Sequence, residues 1–135
     1  MRRIIAIVTA LTVTAALAAC GSDDSSSSKT TTASPAAAVT AIEGTSAELD
    51  KASAALKDGD RAGAEEAVKE AYVSNFENAE HALEEVDEEL TDQLEDGIGK
   101  DLLADFKSGT DATQLQATIT SLQAQLDEAK AKLQP

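Results

Sequence analysis

The sequence predicts an all-α protein: an up-down four-helix bundle that follows a cleaved lipoprotein signal and a disordered tether. Three observations carry this. No proline stands between Ala36 and Gln134. Apolar residues recur through that stretch at spacings of three and four, the period of a helix with one buried stripe. The segment before it opens with two arginines and ends its apolar run at the only cysteine, the signature of a targeting segment rather than of a folded element.

Composition narrows the classes. The chain has 135 residues with 11 Lys and Arg against 25 Asp and Glu, a net charge of −14. That length suits one domain. A single cysteine excludes an intramolecular disulfide framework and any multi-cysteine metal site. The acidic excess excludes nucleic acid as a partner, because phosphates need Lys and Arg neighbours.

Residues 1–19 read as a lipoprotein signal peptide. Met1-Arg2-Arg3 is the positive start, Ile4 to Leu17 is uncharged and too short for a comfortable membrane span, and Leu17-Ala18-Ala19-Cys20 closes it. That ending matches the lipobox of bacterial lipoproteins, in which the cysteine becomes the first mature residue and carries a thioether-linked diacylglycerol. Membrane lipid held through Cys20 is therefore the expected anchor, since two or more acyl chains give stable attachment where one does not. The cysteine sulfur is then spent on lipid. Residues 20–35 follow as a tether: Gly21 to Pro35 contains no apolar residue larger than alanine and cannot bury enough surface to order itself. A coil of that length reaches roughly 20 Å.

Residues 36–135 form the expected helical domain. Ser34-Pro35 supplies an N-cap and a proline at the first helical position. Ile42, Leu49 and Leu56 then repeat every seven residues, with Thr45 and Ala52 on the same stripe. Lys57-Asp58-Gly59 is a stop and Asp60 a cap for the next helix. Gly109 is the second clear break, and Asp111 to Gln114 is an aspartate-led capping box. After it Leu115, Ile119, Leu122, Leu126, Ala129 and Leu133 make an apolar seam, with Lys130 and Lys132 near the helix C-terminus that favours cations. Between these breaks Val68, Tyr72, Phe76, Ala79, Leu83, Val86, Leu90, Leu94, Ile98 and Leu102 step by three or four without interruption. One rod approaching fifty residues would fit that pattern but not base rates for a small domain. A reversal at Glu85-Val86-Asp87, with Asp87 as the new N-cap, gives four helices of similar length. Only 21 large apolar residues lie between 36 and 134, so alanine must fill much of the interior.

The middle of the chain holds most of the acids, every aromatic residue and the only histidine. At about 100° per residue, with Phe76 at zero, Tyr72, Ala79 and Leu83 define the inner face and Glu65 joins them. Glu80 falls at its edge, while Glu77 and His81 point away. Reversal near Val86 stands Glu77 and Glu80 opposite Glu95, and Tyr72 opposite Lys100 to Asp101, with Asp105 and Glu65 farther along. Converging carboxylates bind a cation, take a proton or splay to water. Oxygen clusters suit hard cations such as ferric iron, calcium, magnesium or manganese, and the His81 imidazole can add to Glu77. A solvated acidic face is the competing reading. A ferritin-like di-iron centre needs Glu-x-x-His twice, and residue 78 is Asn. No nucleophile arrangement and no glycine-rich phosphate loop is present, and no catalysis is expected.

The run Ala71-Tyr72-Val-Ser-Asn-Phe76-Glu77-Asn-Ala-Glu80-His-Ala-Leu83, then Val86-Asp87-Glu-Glu-Leu90, Leu94-Glu95 and Lys107-Ser-Gly109 resembles the extracytoplasmic helical domain of bacterial high-affinity iron permeases and, more loosely, the iron-uptake lipoproteins that work with them. The similarity covers about forty residues. It implies that Tyr72, Glu77, Glu80, Asp87 and Glu95 contribute to an acidic iron-handling surface, and that an iron permease or other membrane protein is the partner. The chain has no Arg-Glu-Gly-x-Glu motif and no permease helices, so the resemblance implies delivery or buffering of metal rather than transport. The expected protein is thus a lipid-anchored accessory on the outer face of the cell membrane. The alternative is a non-catalytic envelope scaffold or adaptor with no metal site.

Overall fold

The computed structural model describes residues 34–134; the signal, Cys20 and nearly all of the tether expected above lie outside them. The described residues are helical throughout, in four rods. Helix α1 is Pro35–Lys57 and α4 is Ala112–Leu133. Helix α2, residues 61–84, consists of Arg61–Glu70, a wider π-helical segment Ala71–Phe76, and Glu77–Glu84. Helix α3, residues 88–108, is built the same way from Glu88–Leu94, a π segment Glu95–Leu102 and Leu103–Ser108. Among the described residues, no helix is long and apolar enough to cross a membrane.

Each helix starts and stops for a local reason. Ser34 accepts from the Ala37 amide and Pro35 takes the first helical position, so Pro35 belongs to α1 and not to the tether. Gly59 and Gly109 both sit at positive φ, 80° and 82°, a conformation nearly free of cost only for glycine. Asp60 accepts from the Gly63 amide, and Asp111 from the amides of Thr113 and Gln114. The middle reversal occurs at residues 85–87 with neither glycine nor proline. The Val86 and Asp87 amides both return to the Leu83 carbonyl, and Asp87 accepts from the Leu90 amide at 3.0 Å. Asp87 has φ −160°, extended backbone open to any residue, so the turn needs only the aspartate side chain as cap.

The core follows the seams. α1 buries Ala38, Ile42, Thr45, Leu49, Ala52 and Leu56, and α4 buries Leu115, Ile119, Leu122, Leu126, Ala129 and Leu133. α2 departs from the uniform winding assumed for it. Its buried residues are Ala64, Val68, Ala71, Phe76, Ala79, Ala82 and Leu83, so Ala71 rather than Tyr72 occupies the core position, and Tyr72 packs half-buried at its edge. The step of five from Ala71 to Phe76 is absorbed by the π turn, in which bonds run i→i+5. In α3 the buried line Leu90, Leu94, Ile98, Leu102, Phe106 advances by four each time, and the second π segment lies across it. Val86, expected on the stripe, is 53% exposed at the reversal. Glu65, expected on the inner face, instead pairs with Lys69 at 2.9 Å with about a third of its side chain in water.

Polar ties join the rod ends. The Arg61 guanidinium donates to the carbonyls of Asp105, Phe106 and Thr110 and lies 5.2 Å from the Phe106 ring centroid, so the start of α2 sits beside the end of α3. Gln116 donates to the Ser53 carbonyl and accepts from its hydroxyl, and Lys130 pairs with Glu43, so α4 lies against α1 with its start beside the end of α1. Lys132 reaches Asp87 at 2.9 Å, pinning the end of α4 to the middle reversal.

Two outcomes follow. Arg61→Ala removes a charged donor from three carbonyls at a helix C-terminus and is expected to cost about 2 kcal/mol, or roughly 10 °C in Tm, in a far-UV circular dichroism melt, with Arg61→Lys recovering only part. Lys132 and the Leu90 amide hold the Asp87 carboxyl below its ordinary value. Its contribution is therefore present above the ordinary carboxylate range and lost as pH falls through the depressed value. Asp87→Asn should lower Tm at neutral pH, with the difference from wild type vanishing in acid melts.

Candidate functional site

The two π segments touch each other across the α2–α3 pair. Their meeting point is Tyr72 against Gly99: a Cβ built on Gly99 would lie 2.8 to 3.0 Å from three atoms of the tyrosine ring. A mid-helix glycine costs about 1 kcal/mol relative to alanine, and here the missing side chain is what lets the ring lie on the α3 backbone. On the other side of the same π turn, Asn75 fills the notch left by Gly44 of α1, where a Cβ would collide with its carboxamide. The Asn75 Nδ2 donates to the Glu70 carbonyl at 3.3 Å, and Tyr72 stacks on Phe76 with centroids 6.1 Å apart at 23°.

Glu77 and Glu80 from α2 and Glu95 and Lys100 from α3 lie near enough to Tyr72 for their charges to act on its phenol. Burial, then the charge of Glu95, then that of Glu77 and Glu84, raise the Glu80 carboxyl above its ordinary value. Burial raises the Tyr72 phenol, helped by Glu95, Glu80 and Glu77 and opposed by Lys100. Lys100 bridges Asp96 and, at 3.2 Å, Glu95, and these two hydrogen-bonded acids push its ammonium up. Of the six candidate ligands, Glu77, Glu80 and Glu95 are near enough for their charges to act on Tyr72, the fourth, without forming a ready ligand group. Glu77 is exposed, Glu80 and Glu95 half-buried.

The other two stand apart. Asp87 spends its carboxylate on the Leu90 amide and Lys132. His81 is about half exposed, its ring nitrogens 3.6 Å from Glu84 and 3.8 Å from Glu85 rather than beside Glu77. Asp101 is exposed, and Asp105 accepts from the Thr110 hydroxyl at 3.2 Å. Among the described residues no group of three or more His, Cys, Asp or Glu is disposed to hold a metal ion. The cluster is a set of coupled acids with one lysine inside it, able to take up a proton or an incoming positive charge.

Sequence reasoning missed Lys100 as the partner of Glu95, and Gly99 and Asn75 as the residues that seat Tyr72. The signal for them was present: glycines 44, 97 and 99 stand inside strongly helical runs, where a glycine marks close approach or a local irregularity.

No family model, no curated protein and no solved structure matches the chain.

The electrostatics make one outcome specific. Because the folded Glu80 carboxyl titrates above its unfolded value, the folded state binds more protons between the two values, and stability declines as pH rises through that window. Glu80→Gln should raise Tm at pH 7 and leave it unchanged in melts run below the ordinary carboxylate range.

Proposed function

We propose that this protein is a membrane-anchored lipoprotein, held through Cys20 on the extracytoplasmic face of the cell membrane. In this reading its helices form an up-down-up-down bundle that binds a hard cation at Tyr72, Glu77, Glu80 and Glu95, as a non-catalytic accessory to metal uptake. Iron is the cation that the resemblance implies. The observation that carries the reading is the half-buried edge of the α2–α3 pair at Tyr72 and Glu80, where burial first, and then the charges of Glu95 and Glu77, hold both groups above their ordinary values. Like charges held together by the packing of two helices favour a cation that neutralises them, and carboxylate and phenol oxygens suit hard ions. Binding would draw Glu95 away from Lys100 and bring Glu77 inward, so the site assembles on the ion.

A second reading, an envelope scaffold or adaptor with no metal site, is favoured by the lack of a ready ligand group among the described residues. It is also favoured by the open groove of about 440 Å³ between α3 and α4, lined by Glu89, Asp92, Asp96 and Asp101 across from Thr118 and Ser121.

Calorimetric titration with ferric citrate, calcium and manganese separates the two. The metal reading expects saturable heat from at least one ion, lost in a Glu77→Gln/Glu80→Gln/Glu95→Gln variant that still melts cooperatively. Heat that never saturates, or that is identical in the variant, leaves the adaptor reading.

A further inference from the structure

The buried residues of α2 that face inward along one line, Ala64, Val68, Ala71, Phe76, Ala79 and Leu83, are spaced four, three, five, three and four. In a regular α-helix, at about 100° per residue, five residues overshoot the buried face by about 140° while four overshoot by about 40°. The segment between Ala71 and Phe76 therefore holds one residue more than an α-helix needs to keep the same core. Its i→i+5 bonds wind that residue in. Val73 and Ser74 are the exposed residues of that segment, and Val73, a large apolar side chain left 60% exposed, is the one that gains nothing from its place. Without it the spacing becomes four, three, four, three and four, and every core side chain is kept.

The wide turn does have a consequence at its own level. Tyr72 falls four residues before Phe76, under its ring, and one narrow step after Ala71, which holds it close to the core line and against Gly99. In the regular helix, Tyr72 would precede Phe76 by three residues and would turn about 20° further toward solvent, because an α step is about 100° and a π step about 80°. α3 answers with a wide segment of its own at the same height, and Gly99 lies within it.

We infer that Val73 is a single inserted residue whose effect is to seat the Tyr72 ring on Gly99, and that the bundle folds without it while releasing the tyrosine. The fold is indifferent to the insertion; the placement of one aromatic ring against Gly99 is not. This holds whether or not a cation binds there.

Tyr72 is the chain's one tyrosine and there is no tryptophan, so tyrosine fluorescence reports this ring alone. Deleting Val73 from the full chain should keep the helical circular dichroism spectrum and a cooperative melt at or above the parent Tm. The acrylamide quenching constant should rise about twofold as the ring loses its packed face. Gly99→Ala, which leaves the chain length unchanged and inserts a methyl group against the ring, should raise quenching in the same direction. Loss of helix content on deleting Val73 overturns the claim that the residue is surplus. A quenching constant equal to the parent's on deleting Val73 overturns the claim that it seats Tyr72, whatever Gly99→Ala shows.

Discussion

The reversal at residues 85–87 decides who faces whom. Without it α2 and α3 would be one rod, and Tyr72 and Glu80 would never meet Gly99 and Glu95. The turn is made by an aspartate cap, by two amides returning to one carbonyl, and by a lysine arriving from the far end of α4. None of these is strong alone. Their effect is to choose a folding point in a sequence whose helical propensity favours continuing. Once the chain bends there, the close approach of α2 to α3 follows, and with it the crowding of acids around one phenol.

Two opposed pH dependences coexist in one small domain. Asp87, paired and capped, favours the folded state when ionised; Glu80, half-buried and then crowded by Glu95 and Glu77, favours it when protonated. The domain thus holds like charges at the half-buried edge of the α2–α3 pair and pairs opposite charges at its end. A proton at Glu80 relieves the same repulsion.

The interior is built largely from alanine, with seven alanines among the buried apolar residues. Small side chains bury little area each but let backbones approach, and the glycines facing Asn75 and Tyr72 carry this to its limit. Close helix packing leaves little room for error in winding, and both π segments lie where α2 and α3 meet. Irregular winding is thus concentrated in the pair that carries the acids, while α1 and α4 remain regular.

The caps and seams were legible because they are local. A serine before proline, an aspartate after glycine, and an apolar residue every three or four positions each act through neighbours in sequence; the α4 seam came out residue for residue, and the α1 stripe did so with Ala38 added to it. The position of the middle turn was legible from Asp87 alone, since a side chain that caps its own helix needs no distant partner. What the chain's order could not show was winding. A helix read at a uniform angle puts Tyr72 in the core and Glu65 beside it, and only packing against Gly44 and Gly99 shows that α2 and α3 are locally wider. The ion pairs that remove Asp87 from the acidic cluster and bring Lys100 into it join residues on different helices or across a widened turn. Their existence depends on distances that arise only when all four rods are packed.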